Sequence, residues 1–191
     1  MDAVTVFHER SQEYDHWFDE NERVYQAKLA ALQQFIPRLG IRVEIDVGTG
    51  RFAVPLGVAV GIEPAWHTAQ IAHRRGIAVC QAVGDQLPFR ESQFDFPLAR
   101  PRHLLRRRGA AATHRRALRA QTAGRTVMGL IDRNSAFAQS YEARRATSTF
   151  YRQARFYSAT QVGAWTQEAG FFGLEFRQTL LDFMHEAVGS A

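Results

Sequence analysis

The residues that decide the fold are Val43-Glu44-Ile45-Asp46-Val47-Gly48-Thr49-Gly50-Arg51-Phe52-Ala53. The stretch starts with alternating β-branched residues and continues into a turn that has glycine at positions 48 and 50. β-Branched side chains favour strands, and glycine permits the sharp turns at which a strand passes into a helix. The stretch therefore predicts a buried strand that leads into a glycine turn.

Four more strands are predicted between this turn and residue 131. They are residues 57–62 (Gly-Val-Ala-Val-Gly-Ile), residues 77–80, a strand that starts at 94–96, and residues 126–131. The spans between them are long enough for crossover helices, and this alternation favours a parallel sheet. The predicted fold class is α/β, a Rossmann-like, mostly parallel sheet with helices on both faces.

Helices are predicted at both ends of the chain. In the first forty residues, apolar side chains at positions 25, 29, 32 and 36 fall on one helical stripe, which Pro37 and Gly40 end. Ser158 and Gln161 have the spacing of a capping box before a helix, and residues 173–180 alternate as a strand. Because no linker or repeat interrupts the pattern, we expect one domain over residues 1–191, with 1–40 helical and 41–191 forming the Rossmann-like core.

Composition restricts the class of protein. The chain has 191 residues, of which 46% are hydrophobic and 23% charged, as in an ordinary globular domain. No apolar run approaches the roughly 20 residues of a membrane helix, and the N-terminus is charged too early for a secretory signal. The single cysteine, Cys80, excludes a disulfide framework and a cysteine-cluster metal site. We expect a cytoplasmic protein with no membrane association and no metal.

The basic charge is confined to one segment. The net charge is +5, but residues 96–131 contain nine arginines and no acid, and the rest of the chain has a net charge of −4. A basic segment can indicate nucleic-acid binding. However, the arginine run at residues 106–108 has no nearby aromatic platform for bases, so we rank this function lower.

The predicted ligand site is the glycine turn together with the neighbouring strand ends. In open α/β sheets, ligands bind beyond the carboxyl ends of the strands. Glu63 ends the second strand, where a carboxylate can accept hydrogen bonds from both hydroxyls of a ribose. Residues 84–89 (Gly-Asp-Gln-Leu-Pro-Phe) follow the third strand. These features in combination predict a nucleoside-binding site.

In this combination the sequence resembles the class I S-adenosylmethionine-dependent methyltransferases, in the branch with small-molecule acceptors. Residues 43–53 look like their first motif, residues 60–64 the second, and residues 87–95 (Leu-Pro-Phe-Arg-Glu-Ser-Gln-Phe-Asp) the third-strand signature. Residues 14–18 (Tyr-Asp-His-Trp-Phe) resemble the aromatic lid helix of some members. The resemblance covers roughly residues 7–95 and 127–182.

The resemblance implies S-adenosylmethionine as cofactor and a role for each matching position. Glu63 would hold the ribose hydroxyls, and Gly48 and Gly50 would let the methionyl portion pass over the loop. The other implied cofactor-binding positions are Gly84, Asp85 and Leu87 around adenine, Tyr14 and Trp17 as the lid over it, and Glu44, Asp46 and Pro64 beside the turn. Core packing is the alternative role for the two aromatic residues.

The reaction implied is methyl transfer to a small-molecule acceptor. Such a transfer needs no dedicated acid or base unless the acceptor must lose a proton, so no catalytic residue is assigned. The acceptor cannot be read from the residues. Candidate walls of its pocket are Tyr141, Phe150, Tyr151 and Phe156, with ordinary packing as the alternative.

Asp46 is the first departure from the family pattern. Family members have glycine at this first position of a G-x-G-x-G turn. Aspartate tolerates an unusual φ better than most side chains, but it adds bulk and charge where the backbone should meet the ligand. Its carboxylate could attract the ammonium and sulfonium of the cofactor or repel its carboxylate, and we expect weakened cofactor binding.

The arginine-rich centre is the second departure. Arginine accounts for 23 of the 24 basic residues, which suggests GC-rich coding DNA. A shift of one nucleotide allows residues 102–107 to encode Ala-Thr-Cys-Phe-Val-Asp and residues 121–126 to encode Arg-Pro-Pro-Gly-Gly-Arg, which resemble the missing family motifs. The hypothesis is that about residues 99–126 are translated out of frame between two compensating indels, and nucleotide sequencing tests it. A solvated basic helix is the alternative.

The C-terminus is the third departure. Family sheets end with a seventh strand inserted antiparallel between strands five and six, and only seven residues follow Met184. We expect this strand to be missing or replaced and the chain to be truncated.

A degenerate family member that binds cofactor poorly or not at all is the alternative function, and a nucleic-acid-binding module ranks third.

Overall fold

The structure is a computed structural model that describes residues 3–37, 39–84, 87–90, 93–99, 125–152 and 154–180. Three helices come first, α1 (Ala3–Glu9), α2 (Ser11–Glu20) and α3 (Glu22–Gln33). The elements that follow are β1 (Arg42–Ile45), β2 (Val60–Ile62), α4 (Trp66–Arg74), β3 (Ala78–Cys80), β4 (Phe96–Ala99) and β5 (Val127–Met128). The described part of the chain ends with α5 (Ala136–Ala143) and α6 (Ala159–Glu168).

The five strands form one parallel sheet in the order β3-β2-β1-β4-β5. Glu44 of β1 pairs with Gly61 of β2 on one side and with Leu98 of β4 on the other. β1 lies between two parallel neighbours, and three of its four residues are buried, including the charged Glu44. The predicted α/β, Rossmann-like class is confirmed, with each strand within a few residues of its predicted place.

The N-terminal helices pack on one face of the sheet and on the segment after the glycine turn. Phe18 of α2 contacts Tyr25 of α3 and Phe52 edge-on, with ring centroids 5.5 and 5.7 Å apart. Thr68 of α4 donates a hydrogen bond of 2.7 Å to the Phe7 carbonyl of α1. The predicted helical character of the N-terminal region is confirmed for residues 3–33, and α3 ends at Gln33, before the predicted end at Pro37. On the opposite face, Ile45 lies in a smaller apolar cluster.

Residues 173–180 are not a strand, so the prediction made from their alternation is wrong. The segment is held by side chains instead. The Phe176 ring lies 3.2 Å from the position that a Cβ on Gly163 of α6 would take, and Thr179 donates to the Ala27 carbonyl of α3 at 3.3 Å. Leu180 has φ +66°, which a strand does not allow.

Two sequence hypotheses fall outside the described residues. Residues 100–124, which contain most of the possible frame change, and residues 181–191 are not among them. The described part of the sheet has five strands, and the absence of a seventh strand stays a prediction. Within the described ranges, no helix combines the length and the apolarity needed to cross a membrane.

Candidate functional site

The glycine turn follows β1 with alternate residues in the left-handed region. Asp46, Gly48 and Gly50 have φ values of +59°, +61° and +82°. The turn is also tied to β2, because the Val47 N–H donates to the Ile62 carbonyl at 2.9 Å. Glycine at 48 and 50 relieves the steric strain of positive φ. Asp46 adopts the same conformation with a side chain that tolerates it better than most.

Glu63 faces the turn from the end of β2. Its Oε2 accepts a hydrogen bond from the Gly48 N–H at 3.0 Å, and its Oε1 accepts one from the Ala65 N–H at 3.0 Å. The residue is only 7% exposed. A carboxylate can accept about four hydrogen bonds, so a group that orders the turn can also accept from the vicinal hydroxyls of a ribose. Thus the chemistry of Glu63 fits a nucleoside ligand.

Tyr14 of α2 lies over Gly48. Its Cε1 is 3.4 Å from the position that a Cβ on Gly48 would occupy, so a larger residue there would meet the ring. The Tyr14 ring is buried edge-on against Phe7 and Phe18, at centroid distances of 5.0 and 5.3 Å. Trp17 is half-buried and packs on Phe18. The structure therefore brings Tyr14 to the turn, whereas Trp17 belongs to the aromatic packing one turn further along α2.

Gly50 has a packing role that sequence reasoning did not identify. A Cβ at this position would lie 3.3 Å from the Cα of Ala72 and 3.5 Å from Cγ1 of Ile77. Gly61 of β2 is more crowded, since its Cβ would lie 2.6 Å from Cγ1 of Val47. Both glycines let the turn approach its neighbours closely, which is a requirement of the fold whether or not a ligand binds.

The remaining candidate residues differ in how deeply they are buried. Glu44 is fully buried in β1, and Asp46 is 8% exposed. Pro64 is half-buried, and its carbonyl accepts from Nε2 of Gln81 at 3.2 Å. Two more positions follow β3: Gly84 is buried, and Leu87 is half-buried against the second apolar cluster. Asp85 lies outside the described residues.

An ion-pair network joins α2 to the turn, and sequence reasoning missed it. Arg51 and Arg75 both pair with Asp15, at 2.9 and 2.6 Å. Burial disfavours the charged form of Asp15, but hydrogen bonds from Arg75 and Arg51 outweigh it and hold the pKa of this carboxyl well below its usual range. Hydrogen bonds to Asp15 and Asp19 raise the pKa of Arg51. The sequence signal is limited to two positions: Asp15 follows Tyr14, and Arg51 follows Gly50.

The proposed acceptor walls fall into two groups. Phe150 packs against Phe7 and Tyr14, with centroids 5.3 and 5.7 Å apart, so it lies beside the residue that covers Gly48. The other three form a separate aromatic cluster, in which Tyr141 is 4.1 Å from Tyr151 and 6.3 Å from Phe156. Phe150 is therefore the wall candidate that the structure connects with the turn.

Two further features of the described residues bear on the site. No three His, Cys, Asp or Glu side chains of the described ranges are grouped so that they could hold a metal ion.

An open groove of about 790 Å³ lies between the α1–α2 junction and α4. Its polar lining includes Glu9, His67 and Arg74 and no residue of the glycine turn. The chemistry expected at the turn does not extend into this groove.

Comparison with known proteins finds relatives over most of the chain, although no protein-family model matches it. An uncharacterised protein of Methanocaldococcus jannaschii is 37% identical over an alignment of 185 residues that covers 93% of this chain and 86% of that protein. An uncharacterised protein of Mycobacterium tuberculosis is 35% identical over 172 residues, and the match spans 87% of this chain but 60% of that longer protein.

A solved structure identifies the class. The crystal structure of an S-adenosylmethionine-dependent methyltransferase from Thermotoga maritima, described as a possible histamine N-methyltransferase, is 33% identical. It matches with a TM-score of 0.80 over 88% of this chain and 81% of that one. Identity and coverage of this size, together with the parallel sheet and the glycine turn, establish the relationship. The chain belongs to the class I S-adenosylmethionine-dependent methyltransferases.

Proposed function

We propose that this chain transfers a methyl group from S-adenosylmethionine to a small-molecule acceptor. The observation that carries the proposal is the buried Glu63 carboxylate at the end of β2, bonded to the Gly48 N–H of the turn. A carboxylate in this place suits the ribose of a nucleoside cofactor. The family relationship supports the same cofactor.

Each part of the site would hold a different part of the cofactor. Glu63 would accept hydrogen bonds from the ribose hydroxyls, and the backbone at Gly48 and Gly50 would border the methionyl portion. Tyr14 would cover the turn, with Trp17 behind it. The adenine would lie among Pro64, Gly84, Asp85 and Leu87. Glu44 would support the turn from inside the sheet.

The chain's contribution to the reaction is positioning and exclusion of water. The cofactor, when bound, supplies an electrophilic methyl group on a sulfonium whose positive charge disappears in the transfer. The edge-packed rings of Phe7, Tyr14 and Phe18 would keep water from the turn, and a water-poor site favours loss of that charge. Phe150 would border the acceptor. The description of the Thermotoga relative makes a small amine the first acceptor to assay.

Titration calorimetry with S-adenosylhomocysteine tests the proposal. The wild-type chain should bind with a Kd of about 10 μM or less, and Glu63→Gln should bind at least about 30-fold more weakly, because its amide cannot accept equally from both ribose hydroxyls. Glu175→Gln, at an exposed position, is the matched control and should bind like wild type. A folded wild-type chain that binds no S-adenosylhomocysteine, or equal affinities for both variants, would contradict the proposal.

One observation favours a second candidate, a degenerate family member that has lost its affinity for the cofactor. Asp46 introduces a buried carboxylate into the turn where family members have glycine.

We further propose that residues 1–191 form one domain, with 1–40 as the lid on a core of 41–191. The single cysteine supports a reducing, cytoplasmic setting.

A further inference from the structure

We propose that Asp15 is a positioning residue, a carboxylate latch that holds α2 on the glycine turn and keeps Tyr14 over Gly48. In this arrangement α2 controls access to the turn, and the latch would set how fast the nucleoside ligand enters and leaves. The identity of that ligand rests on the proposed function. The latch itself rests on the contacts of Asp15.

Two guanidinium groups hold the one carboxylate. Arg75 donates from Nη1 to Oδ1 at 2.6 Å and from Nη2 to Oδ2 at 2.8 Å. Arg51 donates from Nε to Oδ1 at 3.1 Å and from Nη2 to Oδ2 at 2.9 Å. Both pairs are bidentate, the geometry in which arginine binds a carboxylate most strongly and most specifically. The Asp15 side chain is only 16% exposed, so solvent screens these pairs little.

The same two arginines connect α2 with the backbone of the turn. Arg75 also donates to the Thr49 carbonyl at 2.7 Å, and Arg51 itself follows Gly50 directly. The Arg51 carbonyl accepts from the Tyr25 hydroxyl at 2.6 Å. Carbonyl groups on both sides of Gly50 are therefore held by side chains. A movement of α2 away from the turn would have to break the bonds of Asp15 with both arginines.

Tyr14 precedes Asp15 on α2, so the latch fixes the backbone that carries this ring. The ring covers Gly48 while the Asp15 pairs are intact. Asp19 pairs with Arg51 as well, at 2.6 Å, but its side chain is 50% exposed and it has no bond to Arg75 among the described contacts. Among the contacts of the described residues, Asp15 is the α2 carboxylate that pairs both with Arg51 of the turn and with Arg75 at the end of α4, so we assign the latch to it.

Hydrogen exchange of the ligand-free chain tests the latch directly. In Asp15→Asn, the amides of residues 11–20 should exchange about tenfold faster or more than in wild type, because local opening of α2 then breaks weaker bonds. The amides of α6 serve as an internal reference. Glu13→Gln is the matched control, since Glu13 lies on the same helix and pairs with Arg10 at the surface. Equal exchange of α2 in the two variants, or equal acceleration of α6 and α2, would overturn the latch.

Binding kinetics separate positioning from a merely structural role. For S-adenosylhomocysteine, the latch predicts that association and dissociation rate constants both rise by about threefold or more in Asp15→Asn, with Asp15→Glu closer to wild type. A structural role would lower the fraction of protein that binds and leave both rate constants unchanged, and that result would overturn the proposal. If the wild-type chain binds no S-adenosylhomocysteine, the proposed function fails, and hydrogen exchange still decides whether the latch exists.

Discussion

The substitution Asp46→Gly should tighten cofactor binding. Asp46 has φ +59° and is 8% exposed, and it lies two residues before the Gly48 N–H that Glu63 binds. Its carboxylate therefore adds bulk and negative charge to the turn that we propose borders the methionyl portion of the ligand. Glycine at this position would remove both and accept the same backbone conformation.

The magnitude follows from two opposing backbone terms and one charge term. A left-handed backbone costs an L-residue about 1–2 kcal/mol, toward the lower end for aspartate. Glycine relieves this strain but loses about 0.5–1 kcal/mol more in conformational entropy on folding, so the stability of the chain should change by less than about 1 kcal/mol. At an effective dielectric constant of about 20–40, two like charges at an assumed separation of about 8 Å repel by roughly 1–2 kcal/mol. This is the upper limit of the charge term, because Asp46 would attract the ammonium group that lies beside the ligand's carboxylate. Removal of the Asp46 charge should therefore lower the Kd by up to about tenfold.

Titration calorimetry with S-adenosylhomocysteine measures this change, with urea unfolding as a check on stability. Asp46→Asn is the matched control, because it retains the size of the side chain and removes its charge. If repulsion dominates, Asn should recover most of the gain. If bulk dominates, only Gly should do so. An unchanged or higher Kd for Asp46→Gly, in a variant as stable as wild type, would refute the reasoning.

Two further predictions concern stability. Gly61→Ala should lower the free energy of unfolding by about 1–3 kcal/mol, because its Cβ would lie 2.6 Å from Val47 Cγ1. Gly129→Ala is the control: a Cβ there meets no atom of the described residues within 4 Å, so it should change the free energy of unfolding by less than about 0.5 kcal/mol in the same urea titration. Equal effects would contradict the crowding argument. Asp15→Asn should cost about 1–3 kcal/mol at pH 7. Burial raises the pKa of Asp15, but hydrogen bonds from Arg75 and Arg51 outweigh burial and lower this pKa below its value in the unfolded chain. The ionised Asp15 therefore stabilises the fold fully above a pH of about 4, and this stabilisation is lost as the pH falls further. Urea titrations from pH 5 to pH 2 should show the difference between wild type and variant shrinking, and a constant difference would contradict this assignment.

Much of the site was predictable because its geometry is local or follows from strand direction. Glycine at positions 48 and 50 indicated a turn, and both residues have positive φ. Carboxyl ends of neighbouring parallel strands meet at one edge of the sheet, so a glycine turn after β1 and an acid after β2 had to come close. The bond between Glu63 and Gly48 agrees with that rule.

Contacts between distant side chains were not predictable. Asp15 is 36 residues from Arg51 and 60 from Arg75 in sequence. The chain contains 19 acidic and 24 basic residues, and nothing in their order says which of them meet. Only the docking of α2 on the turn selects these partners, because burial of the apolar face of the helix determines which of its charged residues face inward.

The sequence by itself determined the α/β class, the approximate positions of the five strands in the described sheet and the residues at the turn, since period, glycine and β-branching act within a few residues. The tertiary structure decided which elements pair. Residues 173–180 alternate like a strand, yet they form none, because alternation sets the directions of side chains and does not supply a neighbouring strand. In the folded chain Phe176 meets Gly163 and Thr179 bonds to Ala27, so contacts with helices take the place of a ladder.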